Sequence, residues 1–75
     1  RNGVRVTKLR KGEFKEAGMP EGYIITRINR SRVRDVSDIM NYLKIIENAE
    51  SDEEKGVFIE GLLPNGNYEY FTYKK

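Results

Sequence analysis

The chain predicts an α+β fold: a curved antiparallel sheet, a partial barrel, with one short and one longer helix. Two observations carry this. Runs rich in β-branched and aromatic residues recur at 3–9, 23–30, 56–63 and 67–73. Between the second and third lies a single segment with helical apolar spacing, Ile39, Leu43 and Ile46 at i, i+4, i+7. Seventy-five residues make one domain. A domain of this size buries about 60–65% of the surface of its unfolded chain, so its stability is marginal.

The elements follow in order. Residues 3–9 alternate Val4 and Val6 against Arg5 and Thr7, the period of a half-buried strand. Residues 10–12 form a loop and 13–17 a short helix, which Gly18 stops by adopting the left-handed conformation. Met19 packs under that turn, and Pro20 and Gly22 reverse the chain. The strand 23–30 puts Ile24 and Ile28 on one face and Ile25 on the other. Residues 29–32 have turn composition, and Val33 is a single-residue return. Ser37 is expected to cap a helix over 38–47, with Asp38 favourable in its first turn. Residues 48–55, acidic and nearly devoid of apolar side chains, read as a mobile loop. The strand 56–63 then turns through Pro64-Asn65-Gly66, a type I turn with a glycine bulge, into the return strand 67–73.

Composition removes several kinds of chemistry. With no His and no Cys, the chain cannot build Ser-His-Asp or Cys-His catalysis, a disulfide, or most zinc sites. The acidic cluster at 50–54 lacks the alternating oxygen ligands and central glycine of a calcium loop. Gly12, Gly18 and Gly22 are too far apart for a phosphate cradle. No cofactor is expected, and no apolar run approaches the ~20 residues of a membrane span. The net charge of +2 is too weak to argue for nucleic acid. Basic residues crowd the first half (Arg5, Lys8, Arg10, Lys11, Arg27, Arg30, Arg32, Arg34), and acidic ones crowd 47–54. That asymmetry reads as a dipolar, solvated surface. Tyr68, Tyr70, Phe71 and Tyr73 share one strand, either as a stacking platform for single-stranded nucleic acid or as cross-strand packing in a hairpin. No Arg or Lys lies among them before Lys74, which favours packing. The remaining physical capacity is a groove. An amphipathic helix beside a strand edge can take an extended peptide by strand addition.

The order of motifs resembles a PDZ domain. Ala17-Gly18-Met19 looks like the family's "AGL", and residues 22–29 look like its "GDxIxxIN". Gly3-Val4-Arg5-Val6 is similar to "GVxV". Val36-Ser37-Asp38-Ile39 is similar to "VxsxxDL", the start of the groove helix. Val57-Phe58-Ile59-Glu60-Gly61 is similar to the closing hairpin "VxLxVxRxG". The arrangement is closest to the PDZ modules of bacterial envelope serine proteases of the HtrA (Do-like) type. The resemblance implies a non-catalytic module in the periplasm or cell envelope. It would recognise exposed peptide C-termini and regulate proteolysis or assembly alongside the protease domain of the parent chain. It also implies that the helix wall of the groove is Ile39, Met40, Tyr42 and Leu43, of which Ile39 and Leu43 also suit plain core packing.

Two departures stand out. Tyr23 replaces the family's Asp after the second glycine. The "YLGI/GLGF"-like carboxylate-binding loop and the groove strand would lie upstream of Arg1. The opening Arg1-Asn2-Gly3, without an initiator Met, reads as the start of a piece excised from a longer protein. These residues alone are therefore expected to offer the helix wall only. The strand bearing Val4, Val6 and Leu9 is expected to have a free edge, either self-associating or covered by the Tyr-rich strand. Two other functions stay open: an assembly element pairing through that edge, and a small β domain binding single-stranded nucleic acid.

Overall fold

A computed structural model describes residues 3–6 and 12–75; the part of the first strand expected at 7–9, with Leu9, lies outside these. The α+β reading holds: a curved, unclosed antiparallel five-stranded sheet carries two helices. The strands are β1 (Val4–Arg5), β2 (Ile24–Ile28), β3 (Ser31–Arg32), β4 (Gly56–Leu62) and β5 (Tyr68–Lys74). The helices are α1 (Gly12–Glu16) and α2 (Val36–Glu47). The sheet runs β1-β2-β4-β5, with β3 paired to β2. β1 and β3 share one side of β2. β1 takes its Ile24–Ile25 end and β3 its Arg27–Ile28 end.

The connection from α1 to β2 forms as its glycines dictate. Met19 N–H donates to the Phe14 carbonyl (3.2 Å) and Gly18 N–H to that of Lys15 (3.0 Å). This nested pair is a Schellman motif, and it requires the positive φ of Gly18, +94°. Met19 is buried beneath it. The chain then reverses at Pro20–Tyr23, with Tyr23 N–H on the Pro20 carbonyl.

β2 departs from strict alternation. Ile25 faces Gly61 and Arg27 faces Glu60, so Thr26 is an extra residue, a β-bulge. The bulge changes the parity of the strand. Ile25 and Ile28 both enter the core, at 0% and 1% exposure, while Ile24 is only half-buried. The expected pairing of Ile24 with Ile28 on one face is therefore corrected to Ile25 with Ile28. Thr26 accepts from Val33 N–H through its carbonyl and donates from Oγ1 to the Glu60 carbonyl.

The cap of α2 is also corrected. Asp35, with extended backbone, accepts from Asp38 N–H (3.0 Å), and Asp38 Oδ2 accepts from Arg34 N–H (2.9 Å). Ser37 lies inside the first turn. Asp35 and Asp38 stand three apart, the spacing of a reciprocal capping pair, and this starts the helix two residues early. The segment after α2 contains a turn of 3-10 helix, Asp52–Lys55, whose cap is Ser51 accepting from Glu54 N–H. Part of the loop expected at 48–55 is thus helical.

The β4–β5 hairpin keeps an unbroken register from Gly56↔Lys74 to Leu62↔Tyr68. Its turn is the expected one: Gly66 N–H closes on the Leu63 carbonyl, and Gly66 has φ +91°. The core gathers Val6, Tyr23, Ile25, Ile28, Val33, Val57 and Ile59 from the sheet and its connections, Phe14 from α1, Met19 from the turn after it, and Ile39, Leu43 and Ile46 from α2.

Candidate functional site

α2 divides its apolar residues between two environments. Ile39, Leu43 and Ile46 seal the core, while Val36, Met40 and Ile45 stand exposed. Met40 is 47% exposed and Leu43 3%. Met40, Leu43, Asn41, Lys44 and Glu47, with Lys75 across from them, line a depression of about 410 Å³. Of the four residues expected to form a groove wall, Met40 and Leu43 meet at this depression. Ile39 lies in the core. Tyr42 is half-buried against the core and donates its hydroxyl to the Arg32 carbonyl (2.8 Å), tying α2 to β3.

One end of this surface is fixed by charge. Lys75 Nζ lies 3.1 Å from Glu13 Oε1 and 3.8 Å from Glu47 Oε1, joining the C-terminal residue to both helices. Tyr73 donates to Glu13 Oε2, and its ring meets Phe14 edge-on at 6.3 Å. Burial, then the hydrogen bond and charge of Glu13, push the Tyr73 phenol well above its ordinary value. Composition had not singled out Glu13 or Lys75. Their pairing depends on bringing together residues 62 apart in sequence.

The β1 edge bears on strand addition. Val6 exchanges backbone hydrogen bonds with the Tyr23 carbonyl and the Gly22 amide, so Val6 faces β2. By alternation the Arg5 N–H and C=O point away from β2. The Tyr-rich strand does not cover this edge. β5 lies at the other end of the sheet order, which corrects one of the two expectations for the edge.

The aromatics of β5 split between the two faces. Phe71 packs edge-on against Tyr23 (5.0 Å) and Tyr73 against Phe14, both on the inner side. Tyr68 and Tyr70 stand on the outer face. Tyr70 lies 5.5 Å from Phe58, and Tyr68 donates to Glu60 (2.9 Å). These contacts are cross-strand packing of the kind expected. Arg27 and Arg32 oppose each other directly across β2 and β3, and both are exposed, as are Arg30 and Arg34.

Among the described residues, no group of three His, Cys, Asp or Glu could hold a metal ion, and no helix is long and apolar enough to cross a membrane. The fold and site define a small α+β module with a shallow helix-lined depression, in which β1 and β5 end the sheet order among the described residues. No protein-family model, curated protein or solved structure matches the chain.

Proposed function

We propose that this chain is a PDZ-like peptide-recognition module of a bacterial HtrA-type envelope protease, binding exposed peptide C-termini and coupling them to proteolysis or assembly. The motif order from Gly3 to Gly61 supports the family reading, and the periplasmic setting and the partner protease domain follow from it alone. The observation that carries the binding role is the α2 face. An apolar side chain, Met40, is half-exposed beside Leu43 at a depression of about 410 Å³. The outward backbone of Arg5 supplies an edge of the kind that accepts an added strand. The module itself performs no reaction; its role is to hold an extended chain.

Titration of the 15N-labelled chain with apolar-ended peptides tests this. Without the carboxylate-binding loop, the expected result is binding near ~1 mM, about 4 kcal/mol, or none. Its shifts should centre on Met40, Leu43 and Lys44, and should diminish when the peptide carries Lys in place of its apolar end. Shifts confined to β5 would overturn the reading, and shifts along 37–46 with affinity near ~1 μM, about 8 kcal/mol, would show a complete groove and overturn the expectation that the carboxylate-binding loop lies upstream.

A further inference from the structure

Among the described residues β5 ends the sheet order; it is seven residues long, with no Pro and no bulge, and α1 borders its Thr72–Lys74 end across a depression. Which of its backbone groups face outward follows from the hairpin. Leu63 N–H donates to the Asn67 carbonyl at one end, and Lys75 N–H to the Lys55 carbonyl at the other. In an antiparallel ladder bonded and non-bonded pairs alternate. The β4 side therefore uses residues 69, 71 and 73, and the N–H and C=O of Tyr68, Tyr70, Thr72 and Lys74 point away from the sheet. Among the described residues nothing bonds them. Proteins usually blunt such an edge with Pro, a bulge, or inward-pointing charge. β5 has neither Pro nor bulge; its charges are Glu69, on the face shared with Phe71 and Tyr73, and Lys74, and three of its four outward-facing positions are Tyr or Thr, residues suited to strands.

We propose that β5 pairs antiparallel with β5 of a second copy about a twofold axis through Phe71, joining the two sheets into one. The register argues for this occupant. A twofold at Phe71 overlaps the whole strand, since Tyr68 then faces Lys74 of the other copy and Tyr70 faces Thr72. Glu69 faces Tyr73, and Phe71 faces Phe71. Every outward N–H and C=O finds a partner. No two like charges stand opposite each other, and each Lys ammonium lies against a Tyr ring. Shifting the axis to Tyr70 would leave Lys74 facing the turn glycine. Shifting it to Thr72 would set Glu69 against Lys75, which Glu13 and Glu47 already hold. The pairing is isologous, so it closes at two copies. It uses none of the α2 residues, so it stands independently of the peptide-binding reading.

Sedimentation and amide exchange across about 10 μM to 1 mM, the range of weak association, provide the test. The apparent mass should rise from one chain toward two. Amides of Tyr68, Tyr70, Thr72 and Lys74 should gain protection with concentration, whereas those of Glu69, Phe71 and Tyr73 should not. Thr72→Pro removes an outward N–H without touching the β4 ladder, and should stay folded and monomeric. If that variant fails to fold, a mixture of Tyr70→Lys and Thr72→Glu chains still decides. Mixed pairs should form up to about fivefold more tightly than either variant alone. A single-chain mass throughout, with exchange at those four amides independent of concentration, overturns the proposal. So does a dimer whose concentration-dependent protection falls on Val4 and Arg5.

Discussion

The Tyr23 ring lies against the bare backbone of Gly61. A Cβ built on Gly61 would stand 3.0 Å from Tyr23 Cζ and only 1.9 Å from the Ile24 carbonyl oxygen. β2 and β4 thus approach closely where Tyr23 passes beneath to donate its hydroxyl to the Glu69 carbonyl on β5. Gly61→Ala should cost about 3 kcal/mol or more, because backbone and not a flexible side chain must give way. Tyr23→Phe keeps the ring and loses one hydrogen bond, so about 1 kcal/mol is expected. Urea denaturation of both variants checks the order. A Gly61→Ala protein as stable as the parent would mean the strands can separate freely.

The β2–β3 turn places two non-glycine residues at positive φ, Asn29 (+49°) and Arg30 (+70°). This is the type I′ pattern, in which Asn-Gly is preferred. Arg30→Gly should therefore stabilise the protein by about 1 kcal/mol. Asn29 earns its place differently: Nδ2 donates to the Gly56 carbonyl and Oδ1 accepts from Phe58 N–H, continuing the β2–β4 ladder through a side chain. Asn29→Ala should cost about 2 kcal/mol, and Asn29→Asp, which keeps the acceptor, should fall between. Shifts in urea midpoint at constant slope are the readout.

Ile28→Ala and Leu43→Ala should each cost about 2–4 kcal/mol, enough to unfold much of a domain this small. Tyr70→Ala should cost less, because its ring is 52% exposed. A neutral Leu43→Ala would show that the α2 stripe faces open solvent and contributes nothing to the core.

Alkaline pH should destabilise the fold through two phenols. Burial raises Tyr23 above its ordinary 10.0, with the charges of Tyr68, Glu69 and Glu60 adding to the effect, and burial with Glu13 raises Tyr73. A raised folded-state value means the native state holds these protons more tightly than the unfolded chain does. Their stabilising contribution is complete below about pH 10 and is lost as pH climbs toward the folded values. Denaturation midpoints should fall between pH 10 and 12, and Tyr73→Phe should flatten that fall. A midpoint unchanged across the range in the parent protein would refute the assignment.

Local chemistry was legible in the sequence where one residue type has one physical use. Gly18 ends α1, Gly66 closes the hairpin, and the stripe Ile39, Leu43, Ile46 marks the buried face of α2. Features set by a partner strand were not. The bulge at Thr26 exists only against Gly61 and Glu60 of β4, so the parity of β2 could not be read from its own alternation. The need for glycine at 61 arises from Ile24 and Tyr23. Asp35 was overlooked as the α2 cap because Ser37 is an equally good capping type, though the Asp35–Asp38 spacing carried the signal. At the site, helical spacing grouped Ile39, Met40, Tyr42 and Leu43 but could not say which of them the sheet would cover.

The contacts of Glu13 with Tyr73 and Lys75 also bear on how fast the chain folds and unfolds. They close loops of 60 and 62 residues, whereas the β4–β5 hairpin closes across a five-residue turn. Closing the long loop costs more chain entropy, and that cost is met only after the nearer pairings exist. The clasp of Glu13 with Tyr73 and Lys75 is therefore expected to form on the native side of the barrier. Loosening it with Glu13→Gln would leave the refolding rate almost unchanged and speed unfolding, so these three side chains set the lifetime of the folded state more than the route to it.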